Sequence, residues 1–282
     1  MQIKEIIKNF IPVFLLDFYH YLLAFLGAFV FRFPSRKLII IGVTGTSGKS
    51  TTVDFISRIL EEPFDLAQGE AGNKVASLSS IKFKIGQKEW KNELKMTMPG
   101  RFAVQKFLRQ AVNEKCKYVI LEVTSEGIRQ FRHKFINFNT AVFTNLSPEH
   151  IESHGGFENY RNEKLKLFKQ TKNIHIINAD DENAKYFLNV PAKEIIAFGI
   201  KDKQKHSNIL QNVGMLAENV RDSNFSVGGI KFSLNLLGDF NVYNALAAIS
   251  VGLSQNVSLE ICKKALEKAK GIPGRMEVIS KE

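Results

Sequence analysis

The chain has little of what marks a disulfide-bonded, zinc-binding or nucleic-acid-binding protein. Its two cysteines, Cys116 and Cys262, are far apart and form no Cys-x-x-C pair. This predicts neither a disulfide framework nor a zinc site, and favours a reduced cytoplasmic setting. The net charge of +11 is spread along the chain, without an Arg/Gly or basic–aromatic repeat. The charge therefore gives no specific support to a nucleic-acid partner, and a polyanionic small substrate explains it as well.

No Ser–His–Asp or Cys–His arrangement is evident, so the sequence gives no sign of a nucleophilic side chain. Internal repeats and low-complexity tracts are also absent. One long hydrophobic run is present, Phe10 to Phe31, "FIPVFLLDFYHYLLAFLGAFVF", and no small-residue cleavage site follows it. A cleaved signal peptide is therefore not predicted.

This run is long enough to cross a membrane, yet polar and small residues recur along it at helical spacing: Asp17, His20, Tyr21, Ala24, Gly27 and Ala28. A carboxylate near the middle of the run would be costly in lipid. Three placements stay open: a helix packed on protein, a helix at a membrane surface or re-entrant in it, and a true span. We therefore expect a cytoplasmic protein, with membrane-surface contact through residues 10–31 left open.

From Lys37 onward the pattern alternates between short apolar runs and helical segments. The predicted strands are "LIIIGV" (38–43), "YVILEV" (118–123), "TAVFTN" (140–145), "IHIIN" (174–178) and "IIAFG" (195–199); the clearest helices are 50–60, 101–116, 157–170 and 240–254. Residues 62–98 and 201–236 are less regular, and we expect small antiparallel strands there. This alternation predicts an α/β fold with a mostly parallel, P-loop-type sheet covered by helices on both faces.

The segment "VTGTSGKSTT" (43–52) lies between a predicted buried strand and a helix, and it lacks the first glycine of the usual nucleotide loop. Gly45, Gly48, Lys49 and Ser50 keep what the chemistry requires. The glycines let backbone N–H groups face phosphate oxygens, the lysine reaches the outer phosphates, and the serine hydroxyl binds Mg²⁺. The loop therefore predicts ATP binding.

The shortened loop G-T-x-G-K-[ST]-T resembles that of the Mur ligase family. Five further motifs follow in the family's order: "MTMPGR" (96–101), "LEVTSEGIRQFR" (121–132), "AVFTNLSPEHIESHGGFENYRNEKLKLF" (141–168), "INADD" (177–181) and "LGDFNVYNALAAI" (237–249), with "GIPGRMEVI" (271–279) at the end. The motifs are most similar to the MurE group, which adds the third residue to UDP-N-acetylmuramoyl-L-alanyl-D-glutamate. The resemblance extends over residues 43–279.

The resemblance implies a set of ATP-binding residues and a set of metal-binding residues. The residues implied for ATP are Gly45, Thr46, Gly48, Lys49, Ser50, Thr51, Asn145, Asn241, Asn244 and Arg275. Ser50, Glu122, His150 and Lys164 are implied for Mg²⁺, and Lys49, Glu122, His150 and Lys164 for catalysis. Lys164 matches the lysine that the family carbamylates, which turns a cation into a carboxylate-like ligand. By pattern alone it is a solvated helix charge, and His150 and His154 without a cysteine or a third histidine make a weak zinc signal.

Thr97, Thr124, Gln130 and Arg132 match positions that hold the uridylyl-muramoyl substrate in the family. Three departures stand beside them: Met98 replaces a threonine, Glu126 a histidine and Glu149 an aspartate. The first two lie in the implied sugar-peptide pocket, so the motifs define the reaction class more firmly than the substrate.

The resemblance also implies a domain division: residues 1–36 form an apolar helical leader, residues 37–272 the central ATP-binding domain, and residues 273–282 the start of a C-terminal ligase domain. Family members usually begin with a uridine-nucleotide domain and end with a domain that brings the amino acid. We therefore expect this chain to be a fragment, a separately expressed domain or half of a split enzyme, and to be monomeric.

The implied reaction is ATP-dependent amide formation between the D-glutamate carboxylate and an amino acid such as diaminopimelate or lysine. Alternatives are a related ligase that uses another carboxylate (folylpolyglutamate, capsule or cyanophycin type), and a membrane-tethered nucleotide-binding module without ligase activity. A nucleic-acid motor is disfavoured, since no stacking or strand-tracking motif appears.

Overall fold

A computed structural model of the chain describes residues 12–63, 72–94, 96–149, 154–200, 213–236 and 238–269. The strands are β1 Ile39–Thr44, β2 Val75–Leu78, β3 Lys82–Ile85, β4 Lys88–Lys91, β5 Tyr118–Glu122, β6 Phe138–Phe143, β7 Ile174–Asn178, β8 Glu194–Ile200, β9 Val213–Arg221, β10 Asn224–Val227 and β11 Ile230–Ser233. The helices are α1 Val13–Val30, α2 Lys49–Glu61, α3 Arg101–Asn113, α4 Ser125–Arg129, α5 Phe157–Gln170, α6 Ala184–Leu188, α7 Asp239–Ser254 and α8 Leu259–Glu267.

The strands of the described residues form one sheet, in the order β11-β10-β9-β8-β7-β6-β1-β5-β2-β3-β4. The strands from β9 to β2 in this order are all parallel to their neighbours, whereas β10, β11, β3 and β4 pair antiparallel at the two ends. The central strands are buried along nearly their whole length, as continuous apolar runs in a doubly covered sheet must be. The predicted α/β fold class and the antiparallel end strands are confirmed.

Helices cover both faces of the sheet, because successive residues of a strand point to opposite sides. Ile41 packs into a core shared with α2, α7 and α8, while Ile40 packs into a second core shared with α3, α5 and α6. This two-sided packing fixes the register of β1 between β5 and β6, and with it the position of the loop that follows β1.

Helix α1 packs on α3 through its small residues. Ala24 and Ala28 are buried, and Gly27 lies so close to α3 that a Cβ there would be 3.5 Å from the Arg101 carbonyl oxygen. Arg109 Nε donates to the Phe31 carbonyl oxygen at 2.9 Å, which fixes the end of α1. This agrees with packing on protein, but two residues of the predicted stripe, Asp17 and Tyr21, are exposed.

Among the ranges described above, no helix is both long enough and apolar enough to cross a membrane. The predicted division into residues 1–36, 37–272 and 273–282 stays a prediction.

Candidate functional site

Polar residues gather at one edge of the sheet, where parallel strands end together. Val43 of β1 is in register with Glu122 of β5, and Thr44 is in register with Phe143 of β6, which leads to Asn145. β7 ends beside them at Asn178. Ligands of open α/β sheets bind at this edge, so the topology brings predicted site residues from three separate segments together, with Asn178 beside them.

The glycine loop between β1 and α2 is shaped by two close approaches. Gly48 has φ of 78°, a left-handed conformation, and a Cβ there would lie 2.2 Å from Asn244 Oδ1. A Cβ on Gly45 would lie 1.9 Å from Thr144 Oγ1. Any other residue at either position would displace these neighbours. The loop therefore presents its backbone amides at the start of α2, where an anion is favoured.

Asn145 holds this loop in place from the neighbouring strand. Its Oδ1 accepts the backbone N–H of Ser47 at 2.9 Å, and its Nδ2 donates to the Ser47 carbonyl oxygen at 3.0 Å. The Asn145 carbonyl oxygen accepts the N–H of Thr46 at 2.9 Å. Asn145, predicted to bind ATP, has its amide engaged by the glycine loop, so in this structure it orders the backbone of that loop.

Glu122 lies at the end of β5 beside the start of α2, 2% exposed. Its Oε2 accepts the Ser50 hydroxyl at 2.7 Å and the Ser80 backbone N–H at 2.9 Å. A buried carboxylate next to a serine hydroxyl is an oxygen donor set of the kind that Mg²⁺ binds. The structure therefore brings together Ser50 and Glu122, two of the predicted metal ligands.

Lys164, another predicted ligand, is 1% exposed rather than a solvated helix charge. Its Nζ donates to the Gly45 carbonyl oxygen at 2.7 Å and lies 4.4 Å from the centre of the Tyr160 ring. Burial, and then the positive charge of Lys49, hold the pKa of Lys164 well below its ordinary value, while Glu122 and Glu149 oppose that shift. A buried amine beside a phosphate loop is unusual enough to indicate function.

Lys49 bends back over the loop, and its Nζ donates to the Thr46 carbonyl oxygen at 2.7 Å. Thr46 in turn contacts Tyr160, with 3.3 Å between Oγ1 and the phenol oxygen. The lysine therefore closes the loop on itself, and Tyr160 of α5 contacts the loop from outside.

Two cavities meet at this loop and share Ser47, Gly48 and Thr51 as lining residues. The first has a volume of about 570 Å³. Its other lining residues are Asn145, Asn178, Asp180, Asp181, Leu236, Phe240, Asn241, Tyr243 and Asn244. The predicted pair Asn241 and Asn244 is buried there, joined by a 3.1 Å bond from Asn244 Nδ2 to Asn241 Oδ1.

The first cavity also contains groups that the sequence motifs did not point to individually. The Tyr243 hydroxyl donates to Asp180 Oδ2 at 2.9 Å, and burial followed by the charge of Asp180 raises the pKa of Tyr243. Asp181 accepts the Leu146 N–H at 2.7 Å, and burial raises the pKa of its carboxyl. Both aspartates end the quoted motif "INADD" and lie just after β7. Their position at the end of a strand is the sequence signal that could have identified them.

The second cavity, about 780 Å³, lies on the side of Glu122 and Lys164. Its lining includes Lys49, Ser50, Ser80, Thr97, Met98, Thr124, Glu126, Arg132, Glu149, His154 and Tyr160. Ser80 was missed because it follows β2 in a segment without a regular pattern. The cavity is rich in charged groups, whereas the first is lined mainly by amides, carboxylates and rings.

The four predicted substrate residues are placed differently. Thr97, Thr124 and Arg132 line the second cavity, and Gln130 does not. Gln130 Oε1 instead accepts from Arg132 Nη2 at 2.7 Å, so it orients the guanidinium. Thr124 Oγ1 accepts the Gly127 N–H at 3.1 Å and caps α4. Arg132 also donates to the Met98 carbonyl oxygen, while its buried Nε–H has no partner among the residues that the structure describes.

Two predicted residues, His150 and Arg275, lie outside the described residues. His154 lines the second cavity with its ring centre 5.2 Å from that of Tyr160, and burial followed by the charge of Arg129 lowers its pKa. Within the described part of the chain, no group of three or more His, Cys, Asp or Glu residues could hold a metal ion. Such a group includes neither Ser50 nor Lys164, and it includes no phosphate oxygen of a nucleotide.

Comparison with known proteins bears directly on this arrangement. The family model described as the Mur ligase middle domain matches residues 43–252. The chain belongs to the Mur ligase family. It is 34% identical to a UDP-N-acetylmuramoyl-L-alanyl-D-glutamate–2,6-diaminopimelate ligase of Syntrophomonas wolfei over 91% of this chain and 51% of that protein. It is 35% identical to the ligase of the same name from Clostridium botulinum, over 92% and 51%.

Solved structures agree with this assignment. A UDP-N-acetylmuramoyl-L-alanyl-D-glutamate–2,6-diaminopimelate ligase superposes with a TM-score of 0.71 at 26% identity, over 87% of this chain and 49% of that one. MurF from Acinetobacter baumannii superposes at 0.68 with 22% identity, over 92% and 52%, which supports the fold alone. The chain spans about half the length of the curated relatives it matches.

Proposed function

We propose that this Mur ligase family member takes part in ATP-dependent amide-bond formation in peptidoglycan precursor synthesis. The proposed substrate is UDP-N-acetylmuramoyl-L-alanyl-D-glutamate, and the incoming amino acid is diaminopimelate or lysine. The observation that carries the proposal is that the glycine loop lies between two cavities that share Ser47, Gly48 and Thr51. Lys49, Ser50 and Glu122 line the second of these cavities.

The first cavity suits the nucleoside of ATP. Asn241 and Asn244 offer buried amides within one turn of α7, and Phe240 offers an apolar ring at its mouth. An adenine ring needs this combination of hydrogen-bonding groups and an apolar surface. With the nucleoside placed there, the backbone N–H groups of the glycine loop would bind the phosphates of ATP. The γ-phosphate would then point toward the second cavity.

The second cavity suits the carboxylate substrate. Arg132 lines its wall, and a guanidinium pairs well with a carboxylate. Burial lowers the pKa of Arg132, but a guanidinium remains charged. Thr97 and Thr124 line the same wall with hydroxyl groups.

In the proposed reaction, a substrate carboxylate oxygen attacks the γ-phosphorus of ATP, the bond to the bridging oxygen breaks, and ADP leaves. The amine of the amino acid then attacks the acyl carbon, phosphate leaves, and the nitrogen loses a proton. When bound, Mg²⁺ would neutralise the developing phosphate charge. Lys49 would bind the transferred phosphoryl group, and no side chain need act as a nucleophile.

Ser50 and Glu122 fit a magnesium site by their chemistry, and Lys164 fits once its charge is removed. The pKa of Lys164 is low because the amine is buried near Lys49, which favours the neutral form that reacts with carbon dioxide. The resulting carbamate would be an oxygen ligand facing the same cavity. We therefore include carbamylation of Lys164 in the proposal, with His150 as a further ligand and Arg275 as a further contact to ATP.

The test is to trap the acyl phosphate with hydroxylamine. The protein is mixed with Mg-ATP and UDP-N-acetylmuramoyl-L-alanyl-D-glutamate, and the hydroxamate is sought by mass spectrometry. We expect a hydroxamate that depends on ATP and on Lys49. The trap is repeated with the C-terminal ligase domain that the family resemblance implies. If the protein then binds ATP but forms no hydroxamate from this substrate, the substrate assignment is wrong.

Two observations define the main rival, a ligase that acts on another carboxylate. Met98 is buried where the family has threonine, and Glu126 adds a negative charge to the second cavity. The same trap with folate, poly-γ-glutamate or aspartate-polymer substrates would then yield the hydroxamate. We further propose that the protein acts as a monomer in the cytoplasm, where its two buried free thiols are stable.

A further inference from the structure

We propose that the outward face of α1 binds the surface of an anionic membrane, with the helix lying in the plane of the interface. The inference does not rest on the proposed ligase activity. It rests on which residues α1 directs away from the protein and on the cations beside them.

The outward face of α1 is a stripe of large apolar residues. Phe14, Phe18, Leu22, Phe25 and Phe29 follow one another at spacings of three or four, which places them on one side of a helix. Phe14, Phe18 and Phe29 are 69%, 63% and 62% exposed. The stripe runs for about 22 Å at 1.5 Å per residue. A continuous apolar stripe of this size on a solvent-facing helix marks an interaction surface.

The inward face explains why these residues point outward. α1 contacts α3 through Ala24, Gly27 and Ala28, and Arg109 fixes its end by bonds to the Phe31 carbonyl oxygen. Small residues allow close helix contact, so the helix cannot rotate its phenylalanines inward without losing that contact. The protein thus holds the apolar stripe in a fixed orientation.

Aromatic groups with polar tips flank the stripe. Tyr19 and Tyr21 are 53% and 45% exposed and lie on opposite sides of it. The Tyr21 ring also packs on Phe135 at 5.1 Å between ring centres, which joins α1 to the segment after α4. Tyrosine is favoured where one end of a side chain is in lipid and the other in water.

Positive charges border the stripe at its carboxyl-terminal end. Phe25 contacts the Phe33 ring at 6.3 Å between centres, and the Arg36 guanidinium lies 4.7 Å from that ring. Arg32 and Lys37, which flank Arg36 in the chain, are exposed as well, and so is Asp17, the acidic residue of α1. An apolar face beside a basic cluster is the combination that binds anionic lipid surfaces.

The experiment measures co-sedimentation of the full chain with vesicles of equimolar phosphatidylglycerol and phosphatidylcholine, and with pure phosphatidylcholine. We expect the protein to bind the anionic vesicles, and to bind the neutral vesicles more weakly by about tenfold or more. The double variant Phe18→Ser with Phe29→Ser should lose at least about tenfold in anionic-vesicle binding. Leu253→Ser, which removes a half-exposed apolar residue from α7, is the matched control and should bind as the parent does.

A charge pair separates insertion from simple electrostatics. Arg36→Glu with Lys37→Glu should weaken binding, whereas Lys193→Glu with Lys231→Glu changes the net charge equally at exposed distant positions and should have less effect. The proposal would be overturned if the control charge pair weakened vesicle binding as much as the Arg36 and Lys37 pair did, and the double phenylalanine variant had no effect. So would loss of a dimer, seen by light scattering, on the same phenylalanine substitutions, because the stripe would then bind a second copy.

A spectroscopic readout tests the proposal without the serine variants, in case those variants fail to fold. The chain has one tryptophan, Trp90, so Phe18→Trp in a Trp90→Phe background reports on the stripe alone. We expect a blue shift on anionic vesicles and quenching by lipids brominated near the headgroup. An unchanged emission with bound protein would contradict insertion of the stripe.

Discussion

The two cavities on either side of the phosphate loop differ in the groups that line them. The first offers amides, two aspartates and rings, held in order by bonds such as Tyr243 to Asp180 at 2.9 Å. The second brings Lys49, Glu122, Arg132 and Lys164 into one space. Groups away from the transferred phosphoryl group bind a ligand with little change during reaction, whereas charged groups beside it act on developing charge. We infer that the first cavity binds and the second performs the chemistry.

Lys49→Ala is expected to have the largest effect. The variant removes the cation that meets the transferred phosphoryl group, so turnover should fall by at least about 10³-fold and ATP binding should be lost. Calorimetry with ATP and a phosphate-release assay check this. Lys88→Ala, an exposed lysine on β4, is the control. Unchanged nucleotide affinity would contradict the loop assignment.

Lys164→Ala is expected to lower magnesium-dependent turnover by about 10²-fold, because an oxygen ligand is lost. Added acetate or formate should restore part of the activity by taking the place of the carbamate. Lys166→Ala on the same helix, half-exposed and paired with Glu163, should behave as the parent. Normal turnover of the Lys164 variant would show that its amine has no role in catalysis.

Asn244→Ala should raise the KM for ATP by about tenfold and leave kcat within about threefold, because a buried hydrogen bond is lost on the recognition side. Its Oδ1 also accepts from Thr52 at 3.3 Å, so thermal unfolding is measured in parallel. Asn113→Ala, exposed at the end of α3, is the control. A fall in kcat without a change in the KM for ATP would contradict the inference that the first cavity binds the nucleotide and the second performs the chemistry.

Tyr243→Phe should have the smallest effect, about a two- to fivefold rise in the KM for ATP. The hydroxyl orients Asp180, which also accepts the Ile200 N–H at 2.7 Å and so keeps one bond without it. Combining the change with Asp180→Asn in a double-mutant cycle measures the coupling. Additive effects would show that the bond does not matter to nucleotide binding.

The strong patterns in the sequence predicted the fold closely. The helix at Phe157–Gln170 and the strand at Ile174–Asn178 agree to the residue, since each has a clear apolar period and polar ends. The helix predicted to reach Cys116 ends at Asn113, because Lys115 takes a left-handed φ of 59° and the Cys116 N–H turns back to the Ala111 carbonyl oxygen. Helix α8 was not predicted, although Ser258 caps it by accepting the Ile261 N–H at 3.4 Å.

The membership of the site stays a prediction, although the fold brings several of the predicted residues to one cavity. Motif order selected Lys49, Glu122 and Lys164, which line the second cavity, but only the fold shows that Lys164 is buried against Gly45. Pattern alone had made that lysine a solvated charge, because a sequence does not show which strand ends a helix covers. The roles of Gln130 and Asn145 as orienting residues also depend on distances between separate segments.

The most direct test of the account is a structure of the protein with Mg²⁺ and a non-hydrolysable ATP analogue. We predict that the purine lies in the first cavity beside Asn241 and Asn244, and that the γ-phosphate reaches Lys49 with the metal between Ser50 and Glu122. A nucleoside bound in the second cavity, or a γ-phosphate directed away from Glu122, would contradict the division of work between the two cavities.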